Sequence, residues 1–317
     1  MQALNTRLTA CLEKEHITAV TLKGFASARF YPVPEFRKTT DIDLLLFSDK
    51  DAENAVRILC ANGFKICKER HANHHIVMIS EKKEAVELHT TWAEAFKEGY
   101  LNKYLEKLQK ESVKHCRYIN CDGSELLVYE TAYQGFYLLI HMLQHFVGSG
   151  FGLRNLCDWV VLWENCDDEN VRSDFAKMAC DSGTAEFAKA VTSVCVKYLG
   201  LDCEKSPFPV DALAGKDVTD ALLRDILDAG EFGYGEPGRM VGMDGNSFTA
   251  YVKEFHHQMH INFPRAGSVI LLWPFLWLAT LIRFLINNKK LNRAPVWAIM
   301  KKAGNRGKLV RRLMSKK

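Results

Sequence analysis

The run Asp41-Ile42-Asp43-Leu44-Leu45-Leu46-Phe47 constrains this chain more than any other feature. An apolar run of this length reads as a buried strand, and side chains along a strand alternate faces. Asp41 and Asp43 therefore point the same way, with Ile42 turned to the core. Two carboxylates on one face at the start of a strand repel each other unless something positive lies between them. A divalent cation is the usual answer, since Mg²⁺ takes one or two carboxylates plus substrate phosphates.

The neighbouring segments support that reading. Ile17 to Leu22 is β-branched and apolar, a short strand by composition, and it runs into Lys23-Gly24 and a stretch of helical character from Phe25 to Phe30. A strand, a glycine and a helix start present backbone N–H groups and the positive end of a helix dipole, which suits a phosphate, with Lys23 adding a point charge. Downstream, Asp51 to Gly63 reads as a helix stopped by glycine, followed by extended stretches at Phe64 to Cys67 and His74 to Ile79. Glu84 to His89 then alternates: with Val86 and Leu88 in the core, Ala85, Glu87 and His89 share the opposite face, and Glu87 is the only carboxylate of the three. His74, His75 and His89 lack the spacing of a structural zinc site, and no CxxC occurs.

This order of elements resembles the DNA-polymerase-β-type nucleotidyltransferase superfamily, and within it the bacterial branch described as uncharacterised nucleotidyltransferases. The resemblance rests on Leu22-Lys23-Gly24, Tyr31-Pro32, Arg37, Asp41-Ile42-Asp43-Leu44-Leu45 and Val86-Glu87-Leu88-His89, with Trp92 close behind. It is strong over the first third of the chain. Later segments match more loosely: Leu138 to His141 with Gln144-His145-Phe146, then Gly150, Leu153-Arg154, Asp158 and Phe263-Pro264. The superfamily's usual G-S turn is K-G here, and its third carboxylate is Glu87 where the branch often has Asp.

The resemblance implies an α/β (α+β) nucleotidyltransferase domain with a short mixed sheet, followed by a mostly α-helical domain. It implies a metal-dependent transfer of an NMP from an NTP to an acceptor hydroxyl, with pyrophosphate released. Asp41, Asp43 and Glu87 would be the catalytic, metal-holding carboxylates for Mg²⁺ or Mn²⁺. Lys23, Gly24 and Arg37 would bind the nucleotide phosphates, and His89 would lie at the acceptor site. The acceptor itself is not written in the sequence.

The remainder of the 317 residues reads as helical from about Ser124, with apolar residues at three-to-four spacing in Leu126 to Phe146, Leu153 to Glu164, Val171 to Ala179, Ala185 to Leu199 and Val218 to Ala229. The expected division is a nucleotidyltransferase domain over 1–120, a helical domain over 121–288 and a basic tail over 289–317. His141 and His145 fall on one helix face, and so do Arg154 and Asp158, which reads as helix packing with a local ion pair. The alternative is a helix pair roofing the nucleotide pocket. Gly230 to Asn246, rich in glycine, reads as a loop. Ten cysteines without a pairing pattern and a start that reads as an amphipathic helix, not a secretory leader, argue for the cytoplasm.

Charge is distributed unevenly. Residues 1–254 hold all 38 acids against 29 Lys+Arg, whereas residues 255–317 hold 13 Lys+Arg and no acid. Val269 to Ile282 is apolar but short for a membrane span, and Pro274 interrupts it. It reads first as a buried C-terminal helix with a solvated basic tail. A peripheral membrane contact through 269–317 is the alternative, because aromatics and cations anchor at anionic headgroups. No motif for reading a specific nucleic acid accompanies the basic end.

Two other functions compete with nucleotidyl transfer. A D-x-D glycosyltransferase would place a larger nucleotide-binding domain before the carboxylates, and only 40 residues precede Asp41. A catalytically silent nucleotide- or partner-binding module of the same fold is the stronger competitor.

Overall fold

The computed structural model describes residues 2–67, 75–121, 124–148, 150–230, 248–263, 266–290 and 306–314. Contacts divide the chain into two compact units, one of 1–144 with 154–214 and one of 145–153 with 215–317. The first unit thus extends past residue 120 and takes in several of the helices that follow the sheet.

The first unit opens with α1 (Gln2–Lys14), whose Leu4, Leu8 and Leu12 recur every fourth residue and are buried as one stripe. Then come β1 (Ala19–Thr21), α2 (Phe25–Ala28), β2 (Asp41–Leu46), α3 (Asp49–Ala61), β3 (Phe64–Ile66), β4 (His75–Ser80) and β5 (Ala85–His89). The Ser48 hydroxyl caps α3 by accepting from the Asp51 N–H at 3.1 Å. The five strands form one mixed sheet in the order β1-β2-β5-β4-β3, with β2 and β5 parallel and the other pairs antiparallel. Its core combines Leu4, Leu8 and Leu12 of α1, Ile42, Leu44 and Leu46 of β2, Ala52, Ala55 and Leu59 of α3, and Val86 and Leu88 of β5. One face of β2 and β5 is therefore covered by helices, and the other is left for polar residues.

After the sheet come α4 (Gly99–Ser112), the hairpin β6 (Cys116–Cys121) and β7 (Ser124–Tyr129), and the helices α5 (Thr131–Val147), α6 (Leu153–Glu164), α7 (Glu169–Asp181) and α8 (Ala185–Tyr198). The helix expected from Leu126 is corrected here, because Ser124–Tyr129 is a strand and helix begins only at Thr131. Leu126 and Val128 alternate into a small core with Ala26, a period of two that local spacing does not separate from the helical run behind it. Trp159, Trp163, Phe175 and Phe187 are fully buried and centre the helical part of this unit.

The second unit contains α9 (Lys216–Ala229), α10 (Phe248–Asn262) and α11 (Trp273–Lys290). The glycine-rich segment expected to form a loop lies, beyond Gly230, outside the described residues. The expectation of a buried C-terminal helix is also corrected. One side of α11 is packed, but Phe275, Leu278, Leu281, Ile282, Leu285 and Ile286 are exposed. No helix among the described residues is long and apolar enough to cross a membrane.

Candidate active site

In the parallel register of β2 and β5, Asp43 lies opposite Glu87, Asp41 opposite Ala85 and Leu45 opposite His89. Because the intervening Ile42, Leu44, Val86 and Leu88 belong to the helix-covered core, alternation puts Asp41, Asp43, Glu87 and His89 on the other face. Asp43 is only 2% exposed. The positive charge that paired carboxylates require is supplied by the chain itself. Lys23 Nζ is 3.0 Å from Asp43 Oδ1, and His89 Nε2 is 3.2 Å from the same oxygen and 3.5 Å from Glu87 Oε2.

These contacts set the charge states. Burial alone would raise the Asp43 carboxyl, but Lys23 and then His89 hold it well below the usual range. Burial and the Asp43 charge would raise Glu87 as well, but the hydrogen bond from His89 together with the Lys23 and His89 charges lowers it. Burial would lower Lys23 and His89, yet both are raised, Lys23 mainly by Asp43 and His89 by its hydrogen bonds to Asp43 and Glu87. Asp41 behaves oppositely to Asp43: burial, then the Asp43 charge, push it above the usual range. The two aspartates of the motif are thus electrostatically distinct.

Lys23 is held in place by its neighbours. The Leu22 N–H donates to the Asp43 carbonyl at 3.0 Å, and Gln134 Nε2 of α5 donates to the Leu22 carbonyl at 2.8 Å. Gly24 then turns the chain at φ +61°, and a Cβ there would lie 3.0 Å from Thr39 Cγ2. Gly24→Ala should therefore cost about 1–3 kcal/mol, to be read by urea unfolding. A cost within error of zero would show that the turn relaxes without strain. Of the amides expected to be free after Gly24, three are engaged locally: Ala26 N–H donates to the Lys23 carbonyl, and Ser27 and Ala28 N–H donate to the Gly24 carbonyl. The helix they begin is only four residues long, too short for a substantial dipole.

Arg37 is buried, and its guanidinium grips Asp158 of α6 through two parallel bonds, Nε to Oδ1 at 2.7 Å and Nη2 to Oδ2 at 2.6 Å. Tyr31 donates its hydroxyl to Asp158 Oδ1 at 2.8 Å, and Arg37 Nη1 donates to Thr39 Oγ1 at 3.3 Å. The local Arg154–Asp158 pair expected from sequence is not made. Asp158 is turned inward to Arg37, while Arg154 Nη1 donates to the Lys38 carbonyl at 3.3 Å. Tyr31, Arg37, Arg154 and Asp158 thus tie the segment leading into β2 to α6. Trp92 is a core residue: its indole N–H donates to the Tyr129 hydroxyl at 2.9 Å, which also contacts Ser112 Oγ at 2.9 Å.

Two residues near the site are not placed in it by the sequence reading: His75 is weighed there only as a zinc ligand, and Tyr137 is not singled out. His75 stands directly across from His89 in the β4–β5 pair, with ring centroids 5.1 Å apart. Tyr137 of α5 is fully buried and electrostatically coupled to Lys23, its hydroxyl pushed up by burial. The first was findable by counting back from the Ser80–Glu84 turn. The second depends on tertiary packing.

Asp43, Glu87 and His89 offer ligand atoms that all lie within 4.8 Å of one another, and Asp41 is not part of that group. The second Asp43 oxygen, Oδ2, is buried without a hydrogen-bond partner. Such an orphaned carboxylate oxygen is costly unless something else satisfies it. Carboxylate oxygens suit Mg²⁺ or Mn²⁺, so the donor set fits a hard divalent cation.

A search of curated proteins finds no match. Among solved structures, the chain is similar to an antigenic nucleotidyltransferase-like protein from Paracoccidioides brasiliensis, at 14% identity and a TM-score of 0.35, over 56% of this chain and 86% of that one. A family model described as uncharacterised nucleotidyltransferase matches residues 1–200, and the chain belongs to that family.

Proposed function

We propose that this protein transfers an NMP from an NTP to an acceptor hydroxyl, with pyrophosphate as the other product, in a metal-dependent reaction. The observation that carries this reading is the Asp43–Glu87 pair, registered side by side on adjacent parallel strands, with Asp43 Oδ2 buried and unsatisfied. Asp43 and Glu87, flanked by Asp41, would hold Mg²⁺ or Mn²⁺. When bound, the metal would supply charge neutralisation at the triphosphate and at the departing pyrophosphate. His89 keeps the two carboxylates together through Nε2 and holds them ionised. Lys23 carries its charge beside Asp43, where it would meet a triphosphate. Arg37, engaged by Asp158, positions the strand entry, and Gly24 fixes the turn that places Lys23. An acceptor oxygen would form a bond to the α-phosphorus as the bond to pyrophosphate breaks, with the hydroxyl proton passing to a carboxylate such as Glu87.

The test is incubation with each α-³²P-labelled NTP, Mg²⁺ or Mn²⁺ and a cell extract as acceptor source. Label should move onto an acceptor with the wild type and not with Asp43→Asn. One observation favours a second reading, a silent binding module: Lys23 and His89 already balance Asp43 without a metal. Thermal stabilisation by an NTP without label transfer would select that reading.

A further inference from the structure

The surface of α11 has the wrong polarity for water. Its inner side is packed against its own unit: Trp273 Nε1 donates to the Gly267 carbonyl at 2.8 Å, Trp277 Nε1 donates to His256 Nδ1 at 3.2 Å, and Thr280 is buried. Its outer side carries Phe275, Leu278, Ile282 and Leu285 at three- and four-residue steps, a single helical stripe. These residues are 72%, 56%, 48% and 47% exposed, and Ile270 and Leu271 just ahead of the helix reach 69% and 85%. Scattered exposed leucines need no explanation, but a continuous stripe of this length marks an interaction surface.

Charge selects the partner. Residues 255–317 carry 13 Lys+Arg and no acid, and Arg283 is exposed within α11 itself. Apolar residues flanked by cations, with tryptophans nearby, match the boundary between acyl chains and anionic headgroups. A second copy docking through the same stripe would bring two acid-free, basic segments together. No helix among the described residues is long and apolar enough to cross a membrane, so the contact lies in the interface plane.

We propose that the outer face of α11 docks on an anionic lipid bilayer. This proposal stands independently of nucleotidyl transfer.

The experiment is co-sedimentation of the full chain with vesicles of phosphatidylcholine alone and of phosphatidylcholine mixed with phosphatidylglycerol. Expected is binding to the mixed vesicles that weakens with added salt. Leu278→Asp with Ile282→Asp should lower partitioning more than about tenfold, because both the apolar gain and the charge match are lost. Arg283→Glu should weaken it less. All these residues are exposed, so circular dichroism and the unfolding midpoint should be unchanged. Wild type staying in the supernatant with both vesicles, or binding both equally, would overturn the proposal. So would self-association without lipid that the Leu278/Ile282 variant abolishes, since the face would then belong to a second copy.

Discussion

Asp43→Asn is expected to lower NMP transfer by more than about 100-fold, beyond the loss typical of residues that only orient a metal ligand. The same substitution should destabilise the protein in metal-free buffer by about 2–3 kcal/mol, the range for charge-assisted hydrogen bonds of a buried group. Repulsion between same-face carboxylates would by itself predict the opposite, a gain on neutralisation. The difference is that Asp43 is the counter-ion of Lys23 at 3.0 Å and of His89 at 3.2 Å. Its carboxyl is lowered although burial opposes this, because those two cations outweigh burial. That stabilisation is fully present above the ordinary aspartate value of about 3.9 and is lost as pH falls below it. Asp41 has the reverse sign: burial and the Asp43 charge raise it, so Asp41→Asn should leave stability unchanged or higher at neutral pH. Urea unfolding of the wild type and both variants in EDTA reads the split directly. Equal stability of all three, with transfer retained by Asp43→Asn, would remove Asp43 from the site.

The shared face of the candidate site residues was legible because a period of two is unforgiving. Once Ile42, Leu44, Val86 and Leu88 are placed in the core, Asp41, Asp43, Glu87 and His89 can only share the other face. The role of Lys23 was only half legible: its nearness to a charged centre followed from the strand-turn pattern, but its pairing with Asp43 needed the β1–β2 register. The β6–β7 hairpin was hidden because only Glu130 separates a strand ending at Tyr129 from a helix starting at Thr131, and apolar residues continue through both. At α11, composition pointed to burial because both sides of the helix are apolar. Nothing in a one-dimensional, mostly apolar stretch of fourteen residues states which side has a partner. The partner of Asp158 was misjudged for a related reason. Local spacing favoured Arg154, but a buried carboxylate needs a buried cation, and that is Arg37 from 121 residues away.

Arg37→Ala should therefore be among the most damaging single substitutions in the chain, at about 3–5 kcal/mol, the cost of stranding one member of a buried pair. Arg37 is 9% exposed and Asp158 2%, so solvent cannot take over either role. Without the guanidinium, Asp158 would retain the Tyr31 hydroxyl at 2.8 Å, one neutral donor for a full charge. Arg37→Lys should recover only part of the loss, because an ammonium cannot make both the Nε and Nη2 bonds of the planar fork. Replacing both partners, as Arg37→Met with Asp158→Leu, removes the stranded charge and should cost less than either single truncation. Urea unfolding of the wild type, Arg37→Met, Asp158→Leu and the double variant gives the coupling energy as a double-mutant cycle. Strong coupling, with the double variant closer to wild type than Arg37→Ala, is the expected result. Additive losses would mean that the two side chains stabilise separate parts of the fold. Because Arg37 stands four residues before Asp41, on the segment that feeds β2, transfer should fall in Arg37→Ala even where the protein stays folded. Arg37→Met with Asp158→Leu should regain stability without regaining full transfer, since the clamp that orients the segment would be looser.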